Sequence, residues 1–337
     1  MKNWKKAGLT ALAGSLVAVS ASAGELGVTG GATLTYTANS GAEDSAGTSG
    51  NGVATKNDGS RWGQAAGLTF SGSGEMDNGW TVTYSQSLTN GASSARGITL
   101  DMGDMGSLNY ESSTGARGIG KIDDVMPTAH EEVFDGLDAN GTTASGGVSG
   151  LVSGGSKGFN WSNTIDIITV NLGYAPKSAA GSGSGGISGP GGGASAYSGT
   201  VELSPLDGLN LGAGWGETNS TVGGQTNDNS TYYAKYTWGP ATVGYQVSNV
   251  DTYGTTADDE STSWGILYAV NDSMSISYGE RENDDSSNTI DEETSGFSVS
   301  YTMGSMSFTL HSNEGKNMGN AASMVSEHTE ASVTFSF

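Results

Sequence analysis

The chain has 337 residues, 56 of them Gly, with 34% hydrophobic residues and a net charge of −22. So acidic a balance argues against nucleic acid as a partner, since backbone binding needs a basic surface. With no cysteine, neither a disulfide framework nor a thiolate metal site is available, and five prolines are too few for a collagen-like or Pro-rich disordered chain.

Residues 1–23 read as a signal peptide. Lys2, Lys5 and Lys6 give a basic start, Ala7 to Val19 is apolar and small, and Ala21-Ser22-Ala23 is an A-x-A cleavage site. The apolar part is too short, and too rich in Gly and Ala, for a spanning helix. The mature chain, residues 24–337, carries ten Lys and Arg against 35 Asp and Glu, or −25. That composition is poor for a soluble globule, and disorder fits badly with seven Trp and thirteen Tyr at regular alternation. A closed sheet with an apolar outside and a wet, polar inside reconciles the two.

Strand one is expected at Leu26–Thr37, with Leu26, Val28, Ala32, Leu34 and Tyr36 outward. Hairpins follow at Arg61–Leu88, Gly97–Glu111, Asn160–Tyr174, Tyr197–Glu217, Tyr232–Val250, Trp264–Arg281 and Phe297–Leu310. The last segment puts Ala331, Val333, Phe335 and Phe337 on one face and Ser332, Thr334 and Ser336 on the other. These period-2 runs carry turn residues between them, as at Asp77-Asn78-Gly79 and Gly304-Ser305, with no convincing helical stretch. One strand, seven pairs and a final strand predict an all-β, 16-stranded antiparallel transmembrane β-barrel, its even count that of bacterial barrels. Short turns alternate with long polar connections (39–60, 176–195, 218–230, 283–293), as periplasmic turns and external loops do. The Gly- and Ser-rich tract Gly181–Gly193 falls in one long connection. Outward aromatics near strand ends, among them Trp80, Trp161, Trp215, Trp238, Trp264, Tyr36, Tyr110, Tyr174, Tyr236 and Tyr278, suit the two interfaces of an outer-membrane lipid bilayer.

One stretch, residues 112–158, breaks the alternation. Structureless connections this long are uncommon and usually functional. It reads as a constriction loop folded into the lumen, the third external connection. Asp123, Asp124, Glu131, Glu132 and Asp135 would line the constriction and favour cations, with Arg117 and Lys121 in the same stretch. Ile119, Ile122, Val125, Met126, Val133 and Phe134 would pin it to the wall, and Pro127 would fix a bend. By parity Arg61, Lys235 and Arg281 point inward, while Arg96 shares the parity of outward Ile98 and Leu100.

Glu25-Leu26-Gly27-Val28-Thr29-Gly30-Gly31 after the signal peptide, Gly118-Ile119-Gly120-Lys121-Ile122-Asp123-Asp124-Val125-Met126-Pro127, and the terminal Phe337 resemble Gram-negative general-diffusion porins, most of all the alphaproteobacterial branch. The resemblance covers the mature chain. It implies a sixteen-stranded homotrimer in the outer membrane, in contact with lipid and lipopolysaccharide, whose third loop narrows a water-filled channel for small hydrophilic solutes and ions. In such porins loop acids face Arg and Lys on the opposite wall; here the wall is poor in cations, a departure from the pattern. The function expected is passive diffusion with cation preference, the alternative a substrate-selective channel of the same architecture. Neither is an enzyme.

Other signals read more plainly. Gly115-x4-Gly120-Lys121 nearly spells a phosphate-binding loop, but Ile122 stands where Ser or Thr belongs. Gly154-x-Ser156-x-Gly158 matches nucleophile-elbow spacing, as Gly- and Ser-rich sequence does by chance. His311 and His328, near Glu314 and Glu330, read as solvated lumen residues rather than a weak metal or lipase-like site. His130 reads as a pore-lining group able to titrate near neutral pH. No cofactor is expected, except that the acidic clusters Asp258-Asp259-Glu260, Asp284-Asp285 and Asp291-Glu292-Glu293, placed in external loops, would suit Ca²⁺.

Overall fold

The alternation of apolar and polar residues is realised as one closed sheet. The computed structural model describes residues 26–41, 59–111, 117–137, 158–176, 195–219, 226–251, 258–286, 289–320, 322 and 324–337. The signal-peptide reading, the remainder of 112–158 and the tract Gly181–Gly193 lie outside them.

The strands are β1 (Leu26–Ser40), β2 (Gly59–Glu75), β3 (Thr81–Thr89), β4 (Ala92–Asp101), β5 (Ser107–Glu111), β6 (Gly158–Ile165), β7 (Ile168–Ala175) and β8 (Ala196–Leu206). They continue as β9 (Leu209–Asn219), β10 (Thr226–Trp238), β11 (Ala241–Asp251), β12 (Asp258–Asn271), β13 (Met274–Asp285), β14 (Glu292–Met303), β15 (Met306–Lys316) and β16 (Val325–Ser336). Each pairs antiparallel with its sequence neighbours, and β1 pairs with β16, so the sheet has no edge. Closure matters because no water in lipid would satisfy an edge strand.

The seam is tied at the chain's end. Phe337 N–H donates to Gly30 O at 2.9 Å, and Gly30 N–H donates to Phe337 O at 2.8 Å. A Cβ at Gly30 would stand 2.8 Å from the Phe337 ring and 2.7 Å from Leu68, so the close approach needs Gly there.

Side chains separate by parity as expected. Leu34, Ile98, Leu172, Val243, Ile266, Ile276, Phe297 and Phe335 are exposed apolar groups on one face, and Trp215, Trp238, Trp264, Tyr174, Tyr236 and Tyr278 join them. Trp80, Trp161, Tyr36 and Tyr110 are half-buried instead. Tyr36 leans on Trp62 and Tyr110 on Phe159, with ring centroids 5.1 and 5.0 Å apart. The opposite parity carries Asn160, Thr200, Thr231, Gln246, Ser298 and Asn313, all buried.

Two boundaries differ from the sequence reading. β3 and β4 are joined by Asn90-Gly91 alone, at φ 50° and 82°. Both central residues at positive φ make the turn that matches strand twist, and Asn-Gly supplies it. The acidic clusters belong largely to strand ends rather than loops: β12 begins at Asp258, β13 ends at Asp285, and Asp259 pairs with Asp285. Glu292, the first residue of β14, is 4% exposed and accepts the Gly319 N–H at 2.8 Å.

Candidate functional site

Residues 117–137 meet the polar set of side chains. The segment begins with a 3₁₀ turn, Gly118–Lys121, then runs without regular structure to Leu137. Gly118 N–H donates to Asn160 Oδ1 at 2.8 Å and Ile119 N–H to Ser198 Oγ at 3.2 Å. Gln246 serves as a clamp: its Nε2 donates to the carbonyls of Ile122 (2.8 Å) and Asp123 (3.2 Å), and its Oε1 accepts from Val125 N–H (3.2 Å). Farther along, Ala129 N–H donates to Ser277 Oγ and His130 N–H to Ser298 Oγ, both at 2.9 Å. Asn313 Nδ2 donates to the carbonyls of Glu132 and Asp135, each at 2.9 Å. An irregular backbone must satisfy its polar groups somewhere, and here wall side chains do it.

Apolar anchors supplement these bonds. Ile119, Ile122 and Leu137 are buried to 1% exposure or less. Room for them comes from missing side chains. Gly244, Gly265, Gly279 and Gly296 are cross-strand partners in sequence from β11 to β14, a row of bare positions on the inner face. A Cβ at Gly244 would sit 2.6 Å from Pro127, one at Gly265 3.0 Å from the Pro127 carbonyl, and one at Gly279 3.2 Å from Val133. Gly214 stands in the same relation to Ile119 and Ile122, at 3.0 and 3.1 Å. The glycine row was not recognised in the sequence, although parity alone puts all four on one face.

Each expected site residue can be placed. Arg117 is 2% exposed and its Nη1 donates to Glu111 O at 3.3 Å. Burial, opposed by Glu111, holds its guanidinium below the usual arginine range. Lys121 is exposed. Lys235 Nζ donates to Val125 O at 3.5 Å. Arg61, exposed on β2, pairs with Thr37, which pairs in turn with Glu330. Arg281, given inward parity but no role, is the wall cation most engaged with the segment. It is 3% exposed, its Nε donates to Ser261 Oγ at 2.6 Å, and its guanidinium lies 4.7 Å from the Phe134 ring centroid.

The acids are not equivalent. Burial pushes Asp123 up and lifts Asp124 to about 7, with Asp123 adding repulsion and Arg281 opposing. Burial and hydrogen bonding to Asp135 raise Glu131 to about 7 and Glu132 to about 9. Burial acts to raise Asp135 too, but the hydrogen bonds it receives from Glu132 and Glu131 outweigh this and bring it below the usual range. One charged acceptor between two proton-bearing neighbours is what like charges at close range enforce.

The histidines depart from the sequence reading. His311 and His328 are 3% and 6% exposed, covered by the segment rather than solvated. Neither His311 nitrogen has a hydrogen-bond partner among the described residues. Gly120-Lys121 is likewise followed by no helix that would cradle phosphate.

The wall under the segment is thus covered, and β2 is not. Along β2, residues 59–66 are exposed on both faces, among them Arg61, Gly63 and Ala65 of inward parity.

The sequence matches the profile of Gram-negative porins over residues 8–319. No curated protein sequence matches it. Among solved structures the chain is similar to an anion-selective porin from Comamonas acidovorans, at 12% identity and a TM-score of 0.63 over 93% of this chain and 99% of that one. It is also similar to OmpT, an outer membrane protein of Vibrio cholerae, at 14% identity and a TM-score of 0.62 over 93% and 98%. The trimer form of OmpT aligns at 11% identity with a TM-score of 0.63 over 94% and 100%.

Proposed function

The chain belongs to the Gram-negative porin family, a multi-pass β-barrel of the outer membrane that serves as a diffusion channel, and on that premise we propose that it passes small hydrophilic solutes with a preference for cations. Segment 117–137 is the constriction in this reading, and Asp123, Asp124, Glu131, Glu132 and Asp135 set its field. Arg61 adds a cation of inward parity on β2, while Arg117 and Lys235 hold the segment in place and Lys121 adds a solvent-facing charge. Homotrimeric assembly completes the proposal.

The observation that carries it is a cluster of five carboxylates on a segment whose backbone is bonded to wall residues of inward parity such as Gln246, Ser298 and Asn313. Fixed charges between low-dielectric walls focus their field on whatever passes, and selectivity follows from pore width and lining charge without any bond being broken. The fold does not set the sign, since a porin described as anion-selective shares it. The sign here comes from this chain's acids. Asp135 is charged throughout the neutral range, Asp123 contributes, and Asp124 and Glu131 titrate near neutrality.

Planar-bilayer recording tests this. A water-filled, cation-preferring trimer gives ohmic steps that close in threes and a reversal potential of cationic sign in a KCl gradient. Absence of conductance, or an anionic reversal potential, would overturn the reading.

A further inference from the structure

The acidic half of the segment is held largely by one strand. On β15 the inward-parity residues His311, Asn313 and Gly315 meet successive parts of the chain from 130 to 137. The His130 and His311 ring centroids are 5.5 Å apart. Asn313 Nδ2 donates to the carbonyls of Glu132 and Asp135. Gly315 offers bare backbone, and Leu137 lies over it: a Cβ there would stand 3.1 Å from Leu137 Cδ1. Leu137 is fully buried, and part of its cover comes from outside the segment. Among the described residues, Leu137, Met318 and Met324 form a buried apolar cluster, at 0%, 1% and 7% exposure. Met318 shares the space above Gly315, where a Cβ would collide with its Sδ.

Met318 belongs to the turn 317–320, which follows β15. Asn317, Gly319 and Asn320 have φ of 53°, 64° and 57°, left-handed values that Gly and Asn tolerate best. Three hydrogen bonds tie this turn to residues 290–292, where β14 begins. Asn317 Nδ2 donates to Asp291 O at 3.0 Å, Gly319 N–H to Glu292 Oε2 at 2.8 Å, and Asn320 Nδ2 to Ile290 O at 3.1 Å. Met318 N–H donates to Met324 O at 3.2 Å and brings the two methionines together. None of these bonds involves the segment. The socket is therefore shaped by the wall and its turn, and Leu137 fills it. An unbranched Met, with three rotatable bonds, suits a gap of such irregular outline.

We propose that Met318 is a positioning residue for the constriction: by seating Leu137 over Gly315 it holds Glu131, Glu132 and Asp135 in place, so that the connection from β15 to β16 sets ion selectivity together with segment 117–137. The inference rests on the constriction reading above. Only Gly136, at φ 75°, separates Leu137 from Asp135. Oxygens of Glu131, Glu132 and Asp135 lie within 4.8 Å of one another, so a displacement of Leu137 moves the three acids as a group.

The test compares Met318→Ala with Met318→Leu in the full-length protein, assembled in detergent. Hydrogen exchange read by mass spectrometry passes no current, so its failure is distinct from failure of the channel reading. Met318→Ala strips the cover from Leu137, and amides of 131–137 are expected to exchange about tenfold faster or more, with β13 unchanged. Its reversal potential in a KCl gradient moves toward zero while the heat stability of the assembled protein stays that of the parent. Met318→Leu conserves volume and restores both readouts. Leu137→Ala reaches the same contact from the other side and carries the test if Met318→Ala fails to assemble. The two alanines together add no further acceleration, as one shared contact requires. Parental exchange of 131–137 in Met318→Ala, a reversal potential unmoved despite faster exchange, additive alanine effects, or no rescue by Met318→Leu would each overturn the inference.

Discussion

The inner wall of this barrel divides into two arcs that the sequence writes in the same alternating code. From β7 to β16 many inward positions are Gly, Ser, Thr, Asn and Gln, with Lys235, Arg281, His311 and His328 among them, and segment 117–137 covers many of them. On β2 they are Arg61, Gly63 and Ala65, exposed to the interior. Period-2 alternation specifies inside and outside, and nothing more. The difference between the arcs lies in what the inward residues offer: bare backbone and amide clamps on one side, uncovered positions on the other. Gly265 and Gly63 make the contrast sharp. A Cβ at Gly265 would press on Pro127, whereas one at Gly63 would meet nothing within 4 Å.

The outer face provides the control with the largest effect. Val299→Arg, behind the covered arc, and Leu34→Arg, behind the open one, are both expected to impair assembly. A cation at the bilayer midplane costs roughly 2–4 kcal/mol in either place. Ser300→Arg, one residue along and inward, assembles. Heat-modifiable electrophoretic mobility reads all three, and equal damage at Val299 and Ser300 would contradict the assignment of faces.

Inside, the arcs are expected to diverge. Gly265→Leu overpacks the trough by about 1–3 kcal/mol and releases the segment, which then becomes sensitive to added protease. Gly63→Leu leaves the segment protected and lowers single-channel conductance instead. Gln246→Ala acts more gently in the same direction as Gly265→Leu. Loss of the clamp strands the groups it served at a cost of about 1–3 kcal/mol, detected as faster cleavage within 117–137. Matching proteolysis of the Gly63 and Gly265 variants would erase the distinction between arcs.

The parts of this arrangement that were legible in the sequence are those that depend on near neighbours. Strand number, facing and most turns follow from alternation and local turn chemistry, as at Asp77-Asn78-Gly79 and Gly304-Ser305. Asn90-Gly91 was legible too, but the small residues after it, Ala92-Ser93-Ser94-Ala95, hid the strand that continues there. What alternation does not encode is which inward residue meets the segment. Arg281 beneath Phe134, Gln246 beneath Ile122 and the meeting of His130 with His311 are contacts between residues more than a hundred positions apart. They depend on the path of an irregular chain across a curved wall. The glycine row lies between these cases, since parity places it inside but only the segment gives it a purpose.

The acids make the covered arc responsive to pH, a smaller effect. Asp124 and Glu131 are raised to about 7 and Glu132 to about 9. Raised carboxyls are neutral below these values, so their contribution to segment packing is fully present below the ordinary carboxylate range and is lost as pH rises from there to about 7 for Asp124 and Glu131 and to about 9 for Glu132. In the folded protein negative charge appears around those upper values. Cation preference, read as reversal potential in a fixed KCl gradient, is expected to increase from pH 6 to pH 9. A flat or falling profile would place these groups away from the ion path.

The most direct measurement replaces Asp123 and Asp124 with Asn, Glu131 and Glu132 with Gln, and Asp135 with Asn, then records reversal potential at near-physiological salt. At that salt, charges in bulk electrolyte are screened beyond about 8 Å, so only acids at the passage itself matter. The account predicts a reversal potential shifted toward zero in a channel that still assembles and conducts. An unchanged reversal potential in the fully neutralised, assembled protein would contradict it, and would take segment 117–137 out of the pore.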